Sequence, residues 1–132
     1  MTRATGAFRP IERVVVPVQG TDREFVAQQW AVELAAALGV RMHAVHVTAD
    51  PDVDRADVFS FLEGECRKWG VDITTTVLSG TRVAHELVEE LGPRDLVIVG
   101  TRRLLAEYHM GSVAAELVRT APCPVQIVRL EA

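Results

Sequence analysis

The sequence predicts an α/β domain built on a doubly wound parallel sheet with helices on both faces. Three observations predict it. Five short runs are rich in valine, isoleucine and other strand formers: RVVVPV (13–18), RMHAVHV (41–47), VDITTTVL (71–78), DLVIVG (95–100) and VQIVR (125–129). A segment with helical periodicity or helix-forming composition separates each consecutive pair. The first and fourth runs are apolar almost throughout, as strands covered on both faces must be. Strands alternating with helices imply right-handed crossovers and a parallel sheet.

The elements follow in order. Residues 1–12 carry no periodic pattern and read as a flexible tail, leaving 13–132 as the domain. After the first strand, QGTD is turn-like, and 24–38 is helical: Val26, Trp30, Leu34 and Leu38 recur every four residues beside Ala27, Ala31 and Ala35. Asp22 is placed to cap its start and Gly39 its end. A helix from about 55 to 69 follows the second strand, lined on one side by Val58, Phe59, Leu62, Cys66 and Trp69, and Gly70 ends it. The third strand alternates and is rich in threonine, which suits a half-exposed edge. Residues 81–91 form a helix with Val83, Leu87, Val88 and Leu91 inward, stopped by Gly92-Pro93. The last helix runs from Ser112 to about Thr120, and the sequence APCP separates it from the last strand.

The totals set limits. The chain has 132 residues, 48% hydrophobic and 24% charged, with a formal net charge of −4. That balance, with no basic run, argues against nucleic acid or an anionic membrane as partner. No apolar stretch approaches a membrane span or a secretory signal, so a cytoplasmic location is expected. Two distant cysteines, Cys66 and Cys123, read as reduced, buried thiols, and without a Cys/His cluster no metal site is expected.

A doubly wound sheet binds ligands beyond the carboxyl ends of its strands, where the strand order reverses. With the first and fourth strands as the central pair, that crevice lies between residues 18–22 and 100–112. The second of these segments is unusual. Ten residues separate Gly100 from Gly111, where a strand-to-helix turn needs about 2–6. The connection also carries two adjacent arginines, Arg102 and Arg103.

The runs VVVPVQGT, MHAVHV, DLVIVGTR and MGSVAAELVRTAPCPVQIV fall in the order and spacing of the universal stress protein family, which the chain resembles over residues 12–129. The resemblance implies a five-stranded parallel sheet of order 3-2-1-4-5. It also implies a stress-response or signalling module, a homodimer paired through the last strand, and ATP or AMP as ligand. In members that bind ATP, an aspartate after the first strand touches the ribose, a backbone after the second strand pairs with adenine, and G-x2-G-x9-G-[S/T] holds the phosphates. Laid onto this chain, these positions are Gln19, Val47, Gly100, Arg103 and Gly111-Ser112, with seven residues between Arg103 and Gly111 where the pattern has nine.

The departures weaken such a site. A carboxylate accepts from both ribose hydroxyls with charge assistance, whereas the Gln19 amide offers one neutral oxygen and two donors. Arginine in place of the middle glycine loses the freedom to take positive φ close to a phosphate. These residues predict a degenerate nucleotide site with no tightly held cofactor. Two readings of Arg102 and Arg103 stay open: solvated loop charges, or guanidinium groups that hold phosphate in a competent site.

Other chemistry finds no support. His43 and His46, three apart on a strand, point to opposite faces and cannot share a metal. His46 reads as a packed or capped residue, His85 as an exposed helix position, and His109 as part of the long connection. No nucleophile elbow, Walker lysine or GxGxxG occurs. The apolar last strand, Val125 to Arg129, lies at a sheet edge, and an exposed apolar edge seeks pairing, which agrees with a homodimer.

Overall fold

A computed structural model describes residues 10–19, 25–104, 107–109 and 112–130, without the side chains of 102–104, 107–109 and 130. Most of the expected tail and the Asp22 cap lie outside the described residues. The order of elements is β1 (Arg13–Pro17), α1 (Phe25–Leu38), β2 (Arg41–Thr48), α2 (Arg55–Trp69), β3 (Ile73–Ser79), α3 (Val83–Val88), β4 (Asp95–Leu104), β5 (Glu107–His109), α4 (Ser112–Thr120) and β6 (Val125–Leu130).

Five strands run parallel in the order β3-β2-β1-β4-β6, which is the predicted order with β6 as the fifth. Side chains alternate across this sheet and build two cores. Val14, Val16, Met42, Ala44 and Ile98 face α1 and α2, where Phe59, Leu62 and Cys66 complete the layer. Val15, Val45, Val47, Val97 and Val99 face α3 and α4, packing on Ala84, Leu87, Ala114 and Leu117. β3 has a half-buried pattern and forms one edge, as its alternation predicts.

Two differences from the sequence reading have physical causes. The buried face of α1 is Ala27, Gln28, Ala31, Val32 and Ala35. Val26, Trp30 and Leu38 stay 48–59% exposed, and Trp69 of α2 is also exposed. Small residues let α1 approach the sheet closely, so the alanine stripe wins the interior over the larger side chains flanking it. The second difference lies in the long connection. β4 continues past Gly100 to Leu104, and β5 returns antiparallel on it, pairing Arg102 with His109, Arg103 with Tyr108 and Leu104 with Glu107.

Local chemistry fixes the ends of α2. The Asp54 carboxylate accepts from the Ala56 N–H at 2.9 Å. Gly70 closes the helix at φ 70°, a left-handed conformation that favours glycine, and Val71 N–H donates to the Cys66 carbonyl at 2.8 Å. α3 is shorter than expected, but turns closed by Glu90 N–H to Leu87 O and Leu91 N–H to Val88 O carry the chain on to Leu91.

At the amino ends of the strands, Arg13 and Asp95 stand opposite each other in the β1–β4 register. Arg13 donates from Nε and Nη2 to the two carboxylate oxygens at 2.9 and 2.8 Å, and from Nη2 to Glu90 O at 3.0 Å. Gly92 N–H donates to the same carboxylate at 2.8 Å. The Asp95 bond is the main reason that the Arg13 pKa is raised. Cys66 and Cys123 are free and buried in different cores, on opposite faces of the sheet. Burial pushes each thiol up to about 11, which keeps both protonated and unreactive near neutrality.

Candidate functional site

Among the described residues, β1 and β4 share a backbone ladder only toward their amino ends, which sets the switch point beyond it. Their ladder runs from Arg13↔Asp95 to Val15↔Val97. Beyond it β1 stays on β2, reaching Pro17↔Val45, while β4 pairs with β6 as far as Arg102↔Leu130. Arg102 belongs to both β4 ladders, so β5 lies on the edge of β4 away from β6, the edge that β1 has left. The segments after Val18 and Val99 thus flank one switch point, as the sequence predicted.

The β1 side is tied down by two backbone groups of Val18. Its N–H donates to Val45 O at 2.8 Å. Its carbonyl accepts from His46 Nδ1 at 2.6 Å. A carbonyl can only accept, so Nδ1 carries the hydrogen. His46 is buried, in keeping with the packed or capped residue that the sequence suggested, and its ring holds the Val18 carbonyl. Held in this way, the chain presents Gln19 to the end of β2. The Gln19 amide donates from Nε2 to Val47 O at 3.3 Å, and Oε1 accepts from Val47 N–H at 3.5 Å. Past the last β1–β2 backbone bond among the described residues, the Gln19 side chain continues the contact with β2.

Beyond Val47, β2 runs into a loop fixed by side-chain turns. Thr48 Oγ1 accepts from Asp50 N–H at 3.0 Å and Asp50 Oδ1 from Asp52 N–H at 2.9 Å. Gly80 N–H donates to Thr48 O at 3.0 Å, which holds the exit of β3 against that of β2.

The other predicted positions fall as follows. Gly100 is exposed in β4, level with Val128 of β6. Ser112 is the first residue of α4 and is exposed. Arg102 and Arg103 lie in the β4–β5 hairpin by backbone, with side chains outside the described residues, as is Gly111. Sequence reasoning marked Gln19 and Val47 separately but missed their bond to each other. The only signal was a glutamine one residue past a strand end, with no means of knowing what lay opposite.

His43 sits on the other face of β2 from His46 and pairs through Nδ1 with Thr74 Oγ1 at 2.6 Å. Burial first, and then the nearby Arg13 charge, lower its pKa below 6.5. The folded state therefore binds this proton more weakly than the unfolded chain does. Its contribution to stability is whole above about pH 6.5 and falls as pH drops through the folded value. In an NMR titration, His43 will titrate below 6.5; a midpoint at or above that value contradicts the burial argument. Among the described residues, no three His, Cys, Asp or Glu side chains converge as a metal site would require.

The sequence profile of the universal stress protein family matches residues 10–68 and 63–129. The chain belongs to the universal stress protein family. A universal stress protein of Methanocaldococcus jannaschii is 29% identical over 140 residues, covering 89% of this chain and 82% of that protein. Among solved structures, a universal stress protein in complex with cAMP aligns with a TM-score of 0.73 at 23% identity, covering 92% of this chain and 99% of the other. The Archaeoglobus fulgidus universal stress protein in complex with dAMP aligns with a TM-score of 0.64 at 21% identity, over 89% and 96% of the two chains. Likeness at this identity shows the family's fold, on which the crevice between β1 and β4 is the switch point.

Proposed function

We propose that this universal stress protein is a cytoplasmic stress-response or signalling module whose crevice is a weakened adenine-nucleotide site. The observation that carries the reading is the engagement of Val47 by Gln19. The backbone at which the family resemblance places adenine is already hydrogen-bonded within the chain. The cAMP and dAMP held by two structural neighbours support adenine nucleotides as the ligand class. A neutral amide at position 19 and an arginine at position 103 both argue for low affinity. The proposed ligand contacts are Val47, Gly100, Arg102, Arg103, Gly111 and Ser112, and Gln19 lines the site through its bonds to Val47.

The proposed assembly is a homodimer through β6, Val125 to Arg129. β6 lies parallel beside β4 and carries the apolar run for which the family resemblance implies pairing with a second copy. Among the described residues no helix is long and apolar enough to cross a membrane, which agrees with the proposed location.

A thermal-shift titration with cAMP, AMP and ATP, with and without magnesium, tests the reading. A ligand stabilises by RT ln(1 + [L]/Kd), which reaches about 2.7 kcal/mol at a hundredfold excess over Kd. The expected result is a rise in Tm that needs near-millimolar nucleotide. Saturation at micromolar ATP, lost in Arg103→Ala, would instead support a competent site held by Arg102 and Arg103. No rise with any nucleotide would contradict the ligand class.

A further inference from the structure

We propose that Gln19 is an internal competitor for the base: its carboxamide occupies the donor–acceptor edge of Val47, and an adenine ring must displace it to bind. The inference rests on the nucleotide reading above and adds a specificity-determining role for one side chain.

The geometry has three parts. First, Val47 lies two residues beyond the last β1–β2 pair among the described residues, Pro17↔Val45, on the same side of β2 as the Val45 carbonyl that Val18 bonds, so its N–H and C=O point to the β1 side. Those two groups form an adjacent donor and acceptor. Second, the Gln19 amide meets both, with Nε2 on the carbonyl and Oε1 on the N–H. An amide and the edge of an adenine ring are interchangeable here in kind. Each offers one N–H donor beside one acceptor, which is why glutamine and asparagine pair with adenine through two bonds. A backbone N–H and C=O pair can thus be read by either. Third, Gln19 does not reach this position by chance rotation. Val18 is held by both its N–H and its carbonyl, the latter through buried His46, so the Cα of Gln19 is set beside β2.

The strength of the contact sets the size of the effect. At 3.3 and 3.5 Å both bonds are longer than the usual 2.9–3.0 Å. Neutral hydrogen bonds contribute little net stability even at good length, because water replaces them. These two bonds are therefore displaceable, and they weaken binding without closing the site. Its removal should tighten binding on the order of fivefold. This is opposite in sign to what a ribose contact from Gln19 would give, since deleting a ligand contact weakens binding.

The experiment compares wild type with Gln19→Ala by isothermal titration, using adenosine and cAMP as probes, and follows Val47 N–H exchange by NMR in the free proteins. The expected result is tighter binding of both probes to Q19A, by about fivefold, and faster exchange of Val47 N–H in free Q19A. Weaker binding to Q19A overturns the inference and makes Gln19 a ligand contact. Equal binding to both proteins overturns it and leaves the nucleotide reading standing. If neither protein binds adenosine or cAMP at millimolar concentration, the nucleotide reading fails and the competitor role falls with it. A melting curve for Q19A checks that the variant is folded, and an unchanged Val47 exchange rate in it contradicts the pairing itself.

Discussion

Phe59→Ala will destabilise the domain by about 3–5 kcal/mol, as deletion of a fully buried aromatic side chain does. Phe59 is only 1% exposed and lies at the centre of the core between α2 and the sheet, with Val14, Met42 and Leu62 in the same cluster. The ring is hemmed in by strand residues that cannot move without breaking their ladders, so the cavity will not collapse. A small domain has about 5–15 kcal/mol of stability in total, and this one change removes a large share. Urea unfolding will show a lower midpoint with an unchanged slope. Phe61 provides the contrast. It is half-buried and stacks on Phe25 with ring centroids 4.1 Å apart. An aromatic pair of that kind contributes about 0.5–1.5 kcal/mol beyond its area, so Phe61→Ala will cost clearly less than Phe59→Ala. Equal costs would contradict the placement of α2.

Asp95→Ala will cost about 3 kcal/mol, by a different route. The carboxylate receives three hydrogen bonds, two from Arg13 and one from Gly92 N–H. Its removal leaves the Arg13 guanidinium, whose side chain is 19% exposed, without its partner between β1 and β4. Stranding a charge costs more than the intact pair contributes, so Arg13→Met with Asp95→Leu will recover much of the loss. The single and the double variant both act at the amino ends of the strands, at the opposite pole from the crevice. Nucleotide affinity, measured where each variant is fully folded, will stay near that of wild type. A cost below about 1 kcal/mol, the usual worth of an exposed pair, would show that this contact is solvated.

The parts of the fold that were legible in the sequence are those governed by local pattern. Apolar runs such as VVVPV and DLVIVG could only be buried strands, and alternating helices left few ways to arrange them. Gly39 and Gly70 announced helix ends by a backbone freedom that the structure uses, at φ 69° and 70°. The inward face of α1 was less legible because two stripes compete there. Counting large apolar residues favours Val26, Trp30 and Leu38, but closeness to the sheet favours alanine. The β4–β5 hairpin was hidden for a similar reason. Glycines at 100 and 111 punctuate the segment as a connection, and three rungs of pairing leave little periodic trace.

The candidate site was legible in position and illegible in detail. Strand order alone brings the ends of β1 and β4 together. The Gln19–Val47 bond joins residues 28 apart, and depends on where β1 stops relative to β2. That register is a tertiary property, set by Val18 and His46 together.

The central claim is that the crevice beside Gln19, Val47 and Gly100 receives an adenine nucleotide. Backbone amide shift mapping with cAMP tests it most directly. The account predicts the largest concentration-dependent changes at Val18, Gln19, Val47 and Gly100, with Glu90 to Asp95 silent. Changes centred on Glu90 to Asp95, or none at millimolar cAMP, would contradict it.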